Sequence, residues 1–298
     1  MTRRTVASML AGSTVALCHP AAGEYLATEL PEAAAGGPVA IERGERFAVS
    51  GGVAVMPIRG LMTPNSELLE RYLGWATYRG IEEAMTELTE REDVAAIALE
   101  LDTPGGLVRN LDAAAEAVAA AAAVKPVHAL VSPLAASAGY RLAAHATEIV
   151  MTAGSEVGSI GVAVMAHRPE APDMGGERWF EFTSRHARAK RPDPGTPEGI
   201  AVIRADLDRL EATFHAAVAA GRGIPLEDLP ARLSLTDDPA DGGGVFHPAE
   251  AIARGLADRQ SRRSDFYSAL FAAHAPRRQT APRAYRARAA AARALATT

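Results

Sequence analysis

Ser132-Pro133-Leu134-Ala135-Ala136-Ser137-Ala138-Gly139-Tyr140 lies between an apolar run at 127–131 and an apolar segment at 140–144. The pattern predicts a strand, a tight loop and a helix, with Ser137 near the first helical turn. In that position the unpaired backbone N–H groups and the positive end of the helix dipole favour a developing negative charge. The small residues Ala135, Ala136, Ala138 and Gly139 leave room for a substrate backbone to come close. A serine at a helix start is more often a simple cap. Whether Ser137 is a cap or a nucleophile depends on what else converges on it.

Outward from this stretch, strands alternate with helices. Residues 53–58 read as a strand, 67–73 as a short helix and 81–91 as a longer one. A strand at 94–101, buried on at least one face, ends at Asp102-Thr103-Pro104-Gly105-Gly106, and a helix is predicted over 107–123. Beyond Tyr140, a strand at 149–152 precedes Gly158-Ser159-Ile160-Gly161, and a strand at 179–183 precedes a polar loop at 184–196. At 197–222 the positions Ile203, Leu207, Leu210, Phe214 and Val218 carry the three-and-four spacing of a one-sided helix. A helix at 248–254, opened by Pro248 and stopped by Gly255, follows Val245-Phe246. This alternation predicts one α/β domain over 50–265. It is flanked by a loosely ordered arm at 1–49 and an Ala/Arg-rich tail at 266–298, disordered or weakly helical.

Composition narrows the function. Hydrophobic residues make up 48% of the chain but aromatics only 5%, so the core is filled by Ala, Val, Leu and Ile. A net charge of -5 argues against nucleic-acid binding as the main role. Cys18, the one cysteine, excludes an internal disulfide framework and a cysteine-rich metal site. No apolar run reaches the roughly 18–20 residues of a membrane span. Arg3 and Arg4 precede a mildly apolar run, and Ala21-Ala22-Gly23 could serve as a cleavage site, but Gly12, Ser13 and Thr14 interrupt the run. A cytoplasmic protein is the expectation, with export the alternative if 1–23 is a signal peptide.

Only two of the 31 basic residues are lysine, Lys125 and Lys190. Lysine can lose its proton when desolvated and arginine cannot, so each lysine matters. Lys125, just before Pro126, reads as a solvated turn residue, and Lys190 is the more informative.

Two glycines in Thr103-Pro104-Gly105-Gly106 let the chain turn and bare the N–H groups from which an oxyanion hole is made. Alone, the motif is also an ordinary strand-to-helix turn, and no Gly-x-Gly-x-x-Gly or Walker lysine supports phosphate binding. Taken in order, Asp-Thr-Pro-Gly-Gly, Ala-Ala-Ser-Ala-Gly-Tyr and Val-Gly-Ser-Ile-Gly-Val resemble the signal peptide peptidase A family of serine peptidases, which includes the bacteriophage head proteases. The resemblance covers roughly 50–260, including the close at 245–258; Ala138 departs from the glycine common in bacterial members.

The resemblance implies a Clp protease/crotonase-like fold of repeated β-β-α units with a mixed sheet packed by helices. It implies a Ser-Lys dyad with Ser137 as nucleophile and Lys190, in Lys190-Arg-Pro-Asp, as base. Ser159 would orient the lysine, and the backbone of Gly105, Gly106 and Ala138 would hold the oxyanion; no cofactor or metal is implied. A solvated lysine has a pKa of about 10.4, so Lys190 must be desolvated to accept the Ser137 proton near neutrality. In the family the serine and lysine come from adjacent copies of the domain. A chain with one copy then implies a homo-oligomeric ring with sites completed between protomers, acting on a polypeptide such as scaffold or capsid protein.

A Ser-His-Asp triad is the rival. His145 is eight residues past Ser137 on the same predicted helix, about 12 Å away and too far to act as base. His167 and His186 could approach only through the tertiary fold. Tyr140 is expected to pack beneath the helix. Three other roles compete with a head protease: a cellular enzyme degrading cleaved signal peptides, a crotonase-like acyl-CoA enzyme, and a structural head protein with a decayed site.

Overall fold

The computed structural model describes residues 5–7, 15–17, 19–29, 45–164, 184, 187–190 and 192–274. Among the described residues the first elements are a short strand β1 (Val15–Leu17) and helix α1 (His19–Ala27). The domain then runs through β2 (Ala48–Ser50), β3 (Val53–Arg59), α2 (Glu67–Leu73), α3 (Tyr78–Glu90), β4 (Ala96–Thr103), β5 (Gly105–Leu107) and α4 (Leu111–Val124). It continues with β6 (Val127–Ala136), α5 (Ala138–Ala143), β7 (Glu148–Met151), β8 (Glu156–Gly158), α6 (Pro197–Arg222) and α7 (Leu229–Leu233). It closes with β9 (Val245–Phe246), α8 (Pro248–Ala253), β10 (Arg259–Gln260) and α9 (Arg263–His274).

The main sheet has the order β10-β7-β6-β4-β3-β2, parallel along this path except where β2 turns back on β3, with β8 parallel to the end of β6 and β9 antiparallel to β8. This is the mixed α/β architecture expected. Alternation along β4 explains the layering: Ile97, Leu99 and Leu101 join the large core beneath α3, α4 and α5. Ala96 and Ala98 face the other way, where Phe266 and Leu270 of α9 cover them with Leu130 and Val150. Glu100 shares that face and accepts hydrogen bonds from Arg263 at 2.7 Å and Tyr267 at 2.6 Å. The expected boundary at 265 therefore falls inside a helix that belongs to the sheet. Thr77 and Thr196 cap α3 and α6 through their side chains, as β-region residues ahead of a helix do.

Three local expectations are corrected. The strand through 127–131 does not end at Ser132 but runs to Ala136, because both edges of its second half find partners. Ala135 pairs with Thr103 past a register shift, and Leu134–Ala136 pair with β8. The helix placed at 107–123 begins only at Leu111, since Gly105–Leu107 is taken up as a strand. Helix α5 stops at Ala143, so His145 lies in the turn beyond it rather than on the same helix. The strand expected at 179–183 lies outside the described residues, as do His167 and His186.

Candidate active site

The site forms where β6 hands over to α5. Ser137 occupies the cap position of α5 but does not act as a cap, for its side chain makes no capping hydrogen bond. Its backbone stands at φ 54°, ψ −117°, a conformation that costs an L-residue about 1–3 kcal/mol. Two contacts hold it there: Ser137 N–H donates to Gly158 C=O at 2.7 Å, and Arg141 N–H donates to Ser137 C=O at 3.0 Å. The hydroxyl is buried and has no hydrogen-bond partner among the described residues. Strain and an unsatisfied polar atom coincide on one side chain, and neither helps the fold.

The helix that Ser137 starts is six residues long, so its field is short-ranged. What it offers is individual first-turn amides such as that of Ala138, which have no intrahelical acceptor. Small residues here are a packing requirement. A Cβ on Gly139 would lie 2.4 Å from Thr103 Cγ2, and one on Gly106 would lie 2.1 Å from the Met62 carbonyl oxygen.

The glycine loop packs against α5. Gly105 N–H donates to Thr103 Oγ1 at 3.1 Å, and Thr103 Oγ1 donates to Gly60 C=O at 2.6 Å. The Gly105 amide is thus used within the loop itself. Thr103 was not singled out from the sequence. The only signal was a hydroxyl immediately ahead of Pro-Gly-Gly.

Ser159 follows Gly158 at φ 52°, is buried, and donates its N–H to Gly244 C=O at 2.6 Å. It lines a cavity of about 320 Å³ with Ile160, Leu233, Glu211 and His215. Burial pushes the His215 imidazole below its usual pKa, against the opposing pull of Glu211. Lys190 closes a single 3-10 turn, Arg188–Lys190, and is exposed. Among the described residues no hydrogen bond joins it to Ser137.

Lys125 is not merely solvated: its ammonium donates to Leu88 C=O at 2.8 Å and Arg91 C=O at 2.6 Å, closing the end of α3. Tyr140 is buried beneath α5 as expected, its hydroxyl donating to Leu256 C=O at 2.8 Å. Arg141, four residues after Ser137 and also missed, is buried and anchors α5. It reaches Asp112 at 2.6 Å and Thr213 C=O at 3.1 Å, and lies over the Phe214 ring.

Residues 119–275 match the profile of peptidase family S49. The chain is 29% identical to capsid assembly protease C of Escherichia phage lambda over 223 residues, 74% of this chain and 48% of that protein. It is 27% identical to head-tail preconnector protein GP5 of Enterobacteria phage P21 over 227 residues, 75% of this chain and 44% of that protein. The chain thus spans about half the length of these curated relatives. Among solved structures, an enoyl-CoA hydratase/isomerase family protein from Silicibacter pomeroyi aligns with a TM-score of 0.44 at 14% identity, over 78% of this chain and 83% of its own.

Proposed function

This chain belongs to peptidase family S49, a family of serine peptidases, and from that premise we propose that it hydrolyses peptide bonds with Ser137 as nucleophile and Lys190 as base. The observation that carries the reading is the Ser137 hydroxyl, buried, without a hydrogen-bond partner among the described residues and held at positive φ beside the glycine strand. Attack by Ser137 Oγ on a peptide carbonyl forms the C–O bond and a tetrahedral oxyanion, received by the N–H groups of Gly106 and Ala138. The hydroxyl proton passes to Lys190 Nζ and then to the departing amine nitrogen, leaving an acyl-enzyme. Water gives a proton to the same amine as it attacks the ester carbonyl; collapse of that intermediate breaks the bond to Ser137 Oγ, releases the acid and returns the proton to the serine. Ser159 orients the lysine, and the cavity beside it is of a size to take a substrate side chain.

Lys190 performs this role from a neighbouring protomer, in a homo-oligomer whose sites are completed at the interface. The exposure of Lys190 and the absence of a partner for the Ser137 hydroxyl among the described residues support this. So does the first half of α6, where Ile200 and Val202 are exposed and Ile203, Leu207 and Leu210 are only half covered. The substrate class is scaffold or capsid protein of a phage or prophage head, in keeping with the names of the two phage relatives. The site of action is then the procapsid in a bacterial cytoplasm. Among the described residues no helix is long and apolar enough to cross a membrane.

Mixing Ser137→Ala with Lys190→Ala subunits tests the arrangement. Each variant alone is inactive, and mixed oligomers recover hydrolysis of a protein substrate. Recovery in neither mixture nor wild type would reject the peptidase reading, whereas an active wild type with dead mixtures would place both residues in one chain.

A further inference from the structure

Upstream of the domain, residues 15–17 form β1 and pair antiparallel with β5 in the register Val15↔Leu107, Ala16↔Gly106 and Leu17↔Gly105. The other edge of β5 belongs to Met62, whose N–H donates to Gly105 C=O at 2.9 Å and whose C=O accepts from Leu107 N–H at 3.0 Å. In a planar trans peptide, C=O and N–H point opposite ways. With Gly105 C=O and Leu107 N–H both aimed at Met62, the N–H and C=O of Gly106 must both face β1. Ala16 and Gly106 are therefore the hydrogen-bonded pair of this ladder. The glycine amide assigned above to the oxyanion, that of Gly106, is thus occupied by Ala16.

The segment around β1 is anchored on the same side of the domain. Val6 is fully buried among Leu61, Leu69 and Trp75. Val6 N–H donates to Thr28 C=O at 3.1 Å. From α1, the Tyr25 ring meets Trp75 edge-on at 5.6 Å, and its hydroxyl donates to Asp102 at 3.4 Å, one residue before Thr103. An extended peptide binds a sheet through a free edge of this kind, its main chain supplying the hydrogen bonds. We propose that residues 15–17 are an internal occupant of the peptide-binding edge of β5, holding the protein in a self-blocked state until a substrate strand displaces them. This rests on the reading of Ser137 as nucleophile and Gly106 as oxyanion donor.

The full chain carrying Ala16→Pro tests it, since proline at 16 removes the N–H that Gly106 C=O accepts. Leu17→Gly serves as a second variant that weakens the strand without a proline. Hydrogen exchange of the Gly106 amide, fluorophosphonate labelling of Ser137 and peptide hydrolysis are measured side by side. The expected result is slow Gly106 exchange in wild type, with exchange, labelling and hydrolysis each faster by about tenfold in both variants, the scale of losing one or two backbone hydrogen bonds. A free peptide of residues 12–20 should slow the variants more than wild type. Variants whose Gly106 exchanges faster while Ser137 is labelled at the wild-type rate would overturn the self-block and leave the nucleophile standing. Gly106 exchange unchanged by either substitution would overturn the pairing itself. Accelerated exchange with no labelling of Ser137 in any form would sink the nucleophile reading, and the block with it.

Discussion

The backbone N–H of Ser137 donates to the carbonyl of Gly158 at 2.7 Å. That bond ties the end of β6 to β8, fixes the strained backbone of Ser137 and places Ser159 immediately beyond. The loops that carry Ser137 and Ser159, 22 residues apart in sequence, are thereby joined directly.

Stability and activity should part company at Ser137. Its hydroxyl has no partner among the described residues and its φ is unfavourable, so Ser137→Gly should stabilise the fold by about 1 kcal/mol. Ser137→Ala should leave stability level or slightly improved, because a buried unsatisfied hydroxyl is removed. Both should lower kcat/KM by about 10³-fold or more. Urea unfolding with parallel hydrolysis assays checks this; a clear loss of stability in Ser137→Ala would mean that the hydroxyl is structural.

Gly139→Ala should destabilise by about 1–3 kcal/mol, since its Cβ would press on Thr103 Cγ2 at 2.4 Å. Thr103→Ser removes that methyl while keeping the hydroxyl between Gly60 and Gly105. The double variant should therefore be more stable than the sum of the singles, by a coupling measured in a double-mutant cycle. Additive effects would mean that the two residues do not touch.

Acid should loosen α9 from the sheet. Burial raises the pKa of the Glu100 carboxyl, but hydrogen bonds from Arg263 and Tyr267 and the charges of Arg263 and Arg59 lower it more, so it lies below its ordinary 4.5. A depressed folded pKa contributes stability that is whole above the unfolded value and is lost as pH falls through the folded one. Unfolding free energy of wild type should thus fall as pH drops below the ordinary carboxylate range and through the lower folded pKa, and Glu100→Gln should flatten part of that slope. An identical slope in the variant would contradict the assignment.

Much of this was legible in the sequence, and the reasons are local. Glu67–Leu73 and Pro197–Arg222 have the bounds that periodicity and capping residues predicted, because each helix carries its own start and stop signals. The Ser137 junction was legible because small residues between apolar runs have few other uses. Gly105–Leu107 was assigned to no strand, since three residues rich in glycine carry no period and pair only through tertiary partners. The continuation of β6 to Ala136 was hidden for the same reason: its partners, Thr103 and β8, are distant in sequence. That the Ser137 hydroxyl is unpartnered and strained is a property of the fold that no spacing of residues announces.

Covalent capture of the nucleophile tests the central claim most directly. The assembled wild-type protein is treated with a fluorophosphonate, digested, and the adduct located by mass spectrometry. A single adduct on Ser137 is predicted, absent from Ser137→Ala and formed at least about 100-fold more slowly in Lys190→Met. An adduct on any other residue, or labelling of Ser137 at full rate without the Lys190 amine, would contradict the account.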